Sequence, residues 1–287
     1  MSKFGSQSYY GSAFRQFIWR LGRKIYCWVR NDLTRGPESN GEYELLRYFL
    51  QHTPKGGILI DIGAHRGEWS RQALNVSKAA NRGGVYIHAF EPSSDSFRRL
   101  QGLFHSEPII LNNFAVSNMS GRAQLFVRGA FCGVNSVYEQ NGGIPEEIEA
   151  IHLDEYAVQQ NLDHIDFVKC DTEGHDFYVM QGASRLLTSG KIAIWQFEYN
   201  HRWIDARCYL KDVFDFIRGK SYWIGKLSAR GVEIYEDWHP ELERYFETNF
   251  VLIHRNCTTI LEIAAVSKFG PSNVPIPVSA EGDRGCD

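Results

Sequence analysis

Side chains that can exchange protons follow two predicted neighbouring strands, at the points where these strands end. Asp171, Glu173 and His175 follow the predicted strand 165–170, and Glu198, Asn200 and His201 close or follow the predicted strand 192–198. Carboxylates and imidazoles can take a proton from a hydroxyl group as general bases. Because ligands bind at the carboxyl ends of central parallel strands, all of these except Asn200 are candidate catalytic residues.

The acidic pair Asp171 and Glu173 also has a purely structural interpretation. Acids in the first turn of a helix stabilise its N-terminus by about 0.3–1 kcal/mol. Two acids on one turn beside a ligand-binding edge favour a functional role. His175 and His201 are equally compatible with packing or hydrogen-bonding roles.

A glycine turn between a short apolar strand and a helix is the strongest local signal for a cofactor site. Its residues are Asp61, Gly63, Ala64, His65 and Gly67. Glycine lets the backbone turn sharply and approach a ligand without a Cβ in the way. The next strand ends in Glu91, whose carboxylate can accept hydrogen bonds from both ribose hydroxyls of either NAD or S-adenosylmethionine.

The same turn argues against a dinucleotide. It lacks the third glycine of GxGxxG, and Glu68 in the first helical turn would repel a pyrophosphate. The turn could also be a tight connection that binds no ligand. The acid and proline Glu91-Pro92 at the end of the next strand disfavour this interpretation. Pro92, Asn113, Ala115 and Asp171 complete the predicted cofactor-binding set.

Strands alternate with helices from residue 57 onward, which predicts a mainly parallel, doubly wound α/β sheet of the Rossmann-like class, preceded by N-terminal helices. Residues 1–54 are predicted to hold a basic amphipathic helix and a linking helix, 55–268 the main domain, and 269–287 a flexible tail. Residues 129–143 form a long loop, in which Asn135 and Ser136 are candidates for a lid over the substrate.

Residues 14–29 predict an amphipathic helix with an apolar stripe and a basic opposite side. Residues 1–35 hold seven basic residues against Asp32 alone, although the whole chain has a net charge of −3. Through residues 14–30 the helix can contact an anionic membrane surface. Alternatively, its stripe packs on the domain or on a partner chain, for example in a homo-oligomer. Packing is favoured, because such stripes usually cover a core.

The composition, with 43% hydrophobic and 23% charged residues, is that of an ordinary globular protein. The small net charge gives no indication of a nucleic-acid partner. Six scattered cysteines without a CxxC pair predict reduced thiols and a cytoplasmic protein, with or without peripheral membrane contact. Mg²⁺ could be held by Asp171, Glu198 and Asn200, but the spacing reproduces no dedicated metal motif, so a metal-free site is favoured.

The order of these motifs resembles the FkbM family of methyltransferases. The similar segments are DIGAHRGEWS, AFEPSSDSFRRL, NNFAVSNMSG, LDEYA and IDFVKCDTEGHDFYVMQGA, within about residues 57–200. The family's acidic-Gly-Ala turn corresponds to Asp61, Gly63, Ala64 and Gly67, its ribose-binding acid and proline to Glu91 and Pro92, and its Asp-x-Glu-Gly motif to Asp171, Glu173 and Gly174. His65, Arg66 and Asp176 depart from the common pattern, and the segment 220–248 looks longer than is typical.

The resemblance implies a seven-stranded class I methyltransferase fold over residues 55–268, with S-adenosylmethionine as methyl donor. It also implies a hydroxyl acceptor, often on a sugar, a glycan or a small metabolite. The acceptor proton could be taken directly by His175 or His201, or its removal could be assisted by Mg²⁺. The direct, metal-free route is favoured. Two other functions stay open: a catalytically silent nucleotide-binding or membrane-associated scaffold, and an NAD-dependent oxidoreductase, which the short glycine motif disfavours.

Overall fold

The computed structural model describes residues 11–32, 36–52, 56–80, 84–128, 135–138 and 143–278. The α-helices are α1 (Ala13–Val29), α2 (Gly36–Ser39), α3 (Glu42–His52), α4 (Glu68–Ala79), α5 (Ser94–Leu103), α6 (Leu153–Gln159), α7 (Asp176–Gln181), α8 (Ser184–Thr188), α9 (Leu210–Ile217) and α10 (Thr258–Leu261). Short 3₁₀ helices cover His201–Ile204 and Pro240–Leu242. None of the helices in the described ranges is long and apolar enough to cross a membrane.

The strands are β1 (Ile58–Ile62), β2 (Tyr86–Phe90), β3 (Ile109–Asn112), β4 (Ala115–Val116), β5 (Gly121–Val127), β6 (Ile144–Ile151), β7 (Ile165–Cys170), β8 (Ile192–Tyr199), β9 (Tyr222–Ser228), β10 (Gly231–Tyr235), β11 (Thr248–His254), β12 (Ala264–Phe269) and β13 (Pro275–Pro277). In the described part of the chain, ten of them form one sheet in the order β3-β2-β1-β7-β8-β11-β9-β10-β12-β13. β4, β6 and β5 form a separate small sheet.

The central strands β3, β2, β1, β7 and β8 are all parallel. β11 runs antiparallel between β8 and β9, which gives seven strands in the order 3-2-1-7-8-11-9, with β10, β12 and β13 beyond them. The strand order reverses at β1, since β2 lies on one side of it and β7 on the other. Ligands of doubly wound sheets bind at the carboxyl ends of the strands at such a switch point.

The apolar strands are buried on both faces, as strands of a parallel sheet require. Successive residues of a strand point to opposite faces. Leu59 of β1 therefore packs in one core, with Leu46 of α3, while the next residue, Ile60, packs in the other core, with Met180 of α7. Helices thus cover both faces, which confirms the predicted doubly wound α/β class.

The N-terminal helix is fastened to the sheet at its C-terminal end. The ammonium group of Lys226 on β9 pairs with Asp32, and Arg30 approaches the other oxygen of that carboxylate at 3.5 Å. All three side chains are at least nine-tenths buried. The apolar stripe of α1, however, is not buried against the described part of the domain, and its residues are exposed.

The division of the chain at residues 54 and 268 remains a prediction. In the segment expected to be a tail, β13 (Pro275–Pro277) pairs antiparallel with β12. Residues 279–287 lie outside the described ranges. The strand β6 (Ile144–Ile151) was not predicted, because three glutamates in IPEEIEAI obscure its apolar alternation.

Candidate active site

A cavity lies where β1, β2 and β7 end. Its lining residues are Ile62, Gly63, His65, Phe90, Glu91, Pro92, Phe114, Ala115, Val116, Leu125, Asn135, Val137, Asp171, Thr172, Glu173 and His175. We call it the first cavity. It brings together most of the residues that the sequence predicts, although their segments are far apart in the chain.

Glu91 is held rigidly at the wall of the first cavity. One carboxylate oxygen accepts a hydrogen bond from the backbone N–H of His65 at 2.8 Å, and the other from that of Ser93 at 3.0 Å. Burial raises the pKa of Glu91 to about 7. Each carboxylate oxygen can accept a further bond. The geometry therefore suits a ligand with two neighbouring hydroxyl groups.

The two glycines of the predicted turn are required by neighbouring protein atoms. Both have positive φ angles, 80° at Gly63 and 72° at Gly67. A Cβ on Gly63 would lie 1.9 Å from the carbonyl oxygen of Asp171, and one on Gly67 would lie 2.4 Å from the ring of Phe104. Gly63 thereby lets the β1 turn pack against the end of β7, whereas Gly67 does not line the first cavity.

Three further members of the predicted cofactor set lie behind the first cavity. Asp61 is fully buried and accepts a 2.6 Å hydrogen bond from the hydroxyl of Ser70. The Asn113 amide donates to the backbone carbonyls of Glu91 and Pro92 at 2.9 and 3.0 Å. Ala64 is buried in the turn itself. These residues support the turns and do not line the first cavity.

A carboxylate cluster forms one side of the site. Asp171, Glu173 and Glu198 each offer an oxygen, and these oxygens lie within 4.8 Å of one another. Burial, followed by the charge of Asp171, raises the pKa of Glu173 to about 8, although Arg202 pairs with it at 2.5 Å. Burial and the charges of Asp171 and Glu173 raise the pKa of Glu198 well above its usual value. Such shifts are typical of functional sites.

Backbone conformation also distinguishes this site. Glu173 and His65 both have left-handed backbones, with φ angles of 56° and 45°, although neither is a glycine. Residues other than glycine rarely adopt this conformation, and strain of this kind clusters at functional sites. Both line the first cavity.

Two cationic side chains of the site were not predicted from the sequence. The Lys169 ammonium donates to Asp171 at 3.1 Å, and Arg202 pairs with Glu173. Burial alone would lower the pKa of Lys169, but the charges of Asp171, Asp61 and other acids raise it overall. A lysine near the end of the predicted strand 165–170 was the available signal, because a buried charge must be paired.

The two candidate histidines have different environments. His175 lines the first cavity, and its ring nitrogens lie 2.9 Å from the hydroxyls of Ser117 and Tyr138. Burial lowers the pKa of His175 to about 4. His201 is exposed at the start of a 3₁₀ helix and does not line the first cavity.

The predicted metal ligands are only partly available. The side-chain oxygen of Asn200 accepts from the backbone N–H of Arg202 at 2.8 Å, and its amide donates to Glu198. The oxygens that converge are those of Asp171, Glu173 and Glu198, so Glu173 replaces Asn200 in the set that could hold a hard cation.

The described part of the long loop, residues 135–138, lies against the first cavity. Asn135 and Val137 line it, whereas the predicted lid residue Ser136 is buried and pairs through its backbone with Phe126 of β5. Residues 129–134 and 139–142 of the same loop are outside the described ranges.

A second cavity adjoins the carboxylate cluster through Glu198. Its lining residues are Trp28, Asn31, Asp32, Ser39, Asn40, Glu198, Leu227, Ala229, Glu247, Thr248 and Asn249. Most of these side chains are polar, and one is a tryptophan. This cavity was not predicted from the sequence, because its walls come from the N-terminal segment, β8, β9 and β11, which are far apart in the chain.

Solved methyltransferase structures superpose on this chain with low TM-scores. An S-adenosylmethionine-dependent methyltransferase from Agrobacterium tumefaciens aligns with a TM-score of 0.41 and 10% identity, over 74% of this chain and 61% of that chain. An rRNA methylase from Streptococcus thermophilus aligns with a TM-score of 0.39 and 9% identity, over 77% of this chain and 98% of that chain.

Sequence comparison is more informative. The hexuronic acid methyltransferase AglP of Haloferax volcanii is 26% identical over 165 residues, which cover 57% of this chain and 65% of that relative. The match thus spans slightly less than two thirds of the relative's length. The family model described as the methyltransferase FkbM domain matches residues 61–224, more than half of the chain. This match includes the β1 turn, Glu91, the acidic residues after β7 and Glu198 near the end of β8. The chain therefore belongs to the FkbM methyltransferase family.

Proposed function

We propose that this protein transfers the methyl group of S-adenosylmethionine to a hydroxyl group on a sugar, a glycan or a small metabolite. The observation that carries the proposal is the rigidly held Glu91 carboxylate in a cavity at the switch point, with a carboxylate cluster beside it. S-adenosylmethionine supplies a methyl group on a positively charged sulfur. Glu91 would accept its ribose hydroxyls, while His65, Pro92 and Ala115 would contact the remainder.

The carboxylate cluster suits a cationic ligand. Asp171 and Glu173 line the first cavity, and their ionised forms stabilise a nearby positive charge. Lys169 and Arg202 hold these two side chains in place from behind. The acidic pair would therefore do more than stabilise a helix end.

Glu198 is the residue that we propose as general base. It belongs both to the carboxylate cluster and to the wall of the second cavity, so it lies between the two cavities. Its raised pKa makes it a stronger base than an ordinary carboxylate. His175 suits this role less, because its pKa is about 4 and both ring nitrogens have hydroxyl partners.

The second cavity is the proposed acceptor site. Its amides, hydroxyls and carboxylates can exchange hydrogen bonds with several hydroxyl groups, and Trp28 offers an apolar ring surface. A sugar combines these two properties. The similarity to a hexuronic acid methyltransferase supports a sugar acceptor.

We propose a metal-free reaction, because Lys169 and Arg202 already place positive charge beside Asp171 and Glu173. The alternative is Mg²⁺ held by Asp171, Glu173 and Glu198, which the convergence of their oxygens permits. Exhaustive chelation separates the two routes. Activity that disappears on chelation and returns with Mg²⁺ would favour the metal.

The test of the cofactor assignment is Glu91→Gln. The amide NH₂ group of glutamine cannot accept a hydrogen bond. The variant therefore loses one bond from a backbone N–H and one charged hydrogen bond to the ligand. A bond of this kind contributes about 1.5–3 kcal/mol. Calorimetry should show S-adenosylhomocysteine binding about 10- to 150-fold more weakly. Glu68→Gln is the matched control, since Glu68 is an exposed acid in the helix that follows the same turn.

Unchanged affinity of Glu91→Gln, or competition by NAD, would refute the assignment. The acceptor itself is identified by incubating the protein with S-adenosylmethionine and a set of hydroxylated sugars, glycans and metabolites, with mass detection of methylated products. Tight cofactor binding without turnover on any of them would favour the scaffold alternative.

A further inference from the structure

Helix α1 exposes its apolar face. Its apolar sector comprises Phe14, Phe17, Ile18, Leu21, Ile25 and Val29, which are 42–75% exposed, and in its last turn Trp28, which is partly exposed at the wall of the second cavity. Within this helix the buried residue is Cys27, on the opposite side. Amphipathic helices of globular domains normally bury the apolar side. A contiguous exposed apolar face of this kind marks an interaction surface.

Helix α1 contacts the domain through residues of its C-terminal half. The guanidinium of Arg23 lies 5.1 Å from the ring centroid of Phe246, and that of Arg244 lies 4.5 Å from the ring of Tyr26. At the end of the helix, Arg30 and Asp32 enter the buried ion cluster. The domain thus holds α1 at its C-terminal half, while the other residues of the helix, polar and apolar, are exposed.

The charges of α1 are all of one sign. The helix contains no aspartate or glutamate, whereas Arg15, Arg20, Arg23 and Lys24 are basic. At 100° per residue, Arg15 lies on one flank of the apolar sector and Lys24, with Arg20 beside it, on the other. The outward surface therefore consists of an apolar strip bordered by cations on both sides.

We propose that α1 binds in the plane of an anionic lipid membrane surface. Helices with this arrangement bury their apolar face at the boundary of headgroups and acyl chains, while flanking cations meet the anionic headgroups. A second copy of the chain fits less well, because two identical faces would bring their basic borders together. Trp28 also lines the second cavity, so a bound helix would hold that cavity close to the lipid surface.

The test is sedimentation of the full chain with vesicles of phosphatidylcholine, with or without 30% phosphatidylserine. We expect binding to the anionic vesicles that weakens with salt. Ile18→Gln with Ile25→Gln, two changes on the outward face, should weaken binding at least about tenfold. Arg15→Gln, Arg20→Gln and Lys24→Gln together should weaken it about 100-fold, from about fivefold for each cation.

The matched control is Val158→Gln with Ile204→Gln, which changes two exposed apolar residues on other helical segments and should bind as the wild type does. Equal binding of all variants, or no binding to anionic vesicles, would overturn the proposal. Light scattering tests whether a second copy of the chain binds this face instead. A dimer of the wild type that becomes a monomer in Ile18→Gln with Ile25→Gln would show that it does.

Discussion

Replacement of Glu173 by glutamine should lower the pH at which this protein becomes active. As a base, Glu198 acts only when it is ionised, so kcat/KM for the acceptor should rise with pH, about tenfold per unit, and level off above the pKa of Glu198. That pKa is raised by burial, by Asp171 and by Glu173. Glu173→Gln removes one negative charge and preserves the shape of the side chain. The part of the pH profile in which kcat/KM rises, its rising limb, should therefore move to lower pH.

The separation of the carboxylates sets the size of this effect. Their oxygens lie within 4.8 Å. Two unit charges at about that distance, with an effective dielectric constant of about 20, interact by about 3.5 kcal/mol, or about 2.5 pH units. Because the pKa of Glu173 is itself about 8, it is only partly ionised near neutral pH. We therefore expect a shift of about 1 unit.

The assay is kcat/KM for a methylated acceptor from pH 5.5 to 9.5, at saturating S-adenosylmethionine. Glu198→Gln should lose the limb and about 10²–10⁴ in rate. Glu155→Gln, a change at a partly exposed acid outside both cavities, should leave the profile in place. A limb that keeps its position in Glu173→Gln would refute the electrostatic coupling, and a limb that persists in Glu198→Gln would refute the base assignment.

Two further outcomes are expected. His201→Ala should retain nearly full rate because His201 is exposed, and His175→Gln should lose less than about tenfold; a loss of 10²–10⁴ in either variant, with cofactor affinity kept, would restore a histidine base. Lys226→Met should lower the free energy of unfolding by about 3 kcal/mol, because the buried Asp32 carboxylate then keeps only one of its two cations, Arg30. Urea unfolding measures this loss against Lys78→Met, which breaks an exposed pair and should change stability by less than about 0.5 kcal/mol. Equal stability of the two lysine variants would contradict the anchoring role of the ion cluster.

Much of the fold could be predicted because its signals are local. An apolar run that ends in a glycine turn predicts a buried strand followed by a helix, whatever the rest of the chain does. The turn at Gly63 and the acid Glu91 are such signals, and their positions at strand ends also predict that they meet. The resemblance to the family rests on the same segments.

The chemistry of the site depended on tertiary neighbours. Asp171 and Glu198 are separated by a helical crossover, and only the pairing of β7 with β8 brings their oxygens together. His175 and His201 both follow central strands, yet the ring of one lies between two hydroxyls and the other is exposed. A pKa depends on burial and on nearby charges, and no spacing in the chain encodes these.

The sequence by itself determined the strand and helix order, the cofactor turn and the amphipathic character of α1. Only the tertiary structure decided that the apolar face of α1 is exposed, that the N-terminal segment completes the second cavity, and that Lys169 and Arg202 pair with the acids. The physical reason is the same in each case. Periodicity tells which side of an element is apolar or charged, whereas the partner that covers that side comes from a distant part of the chain.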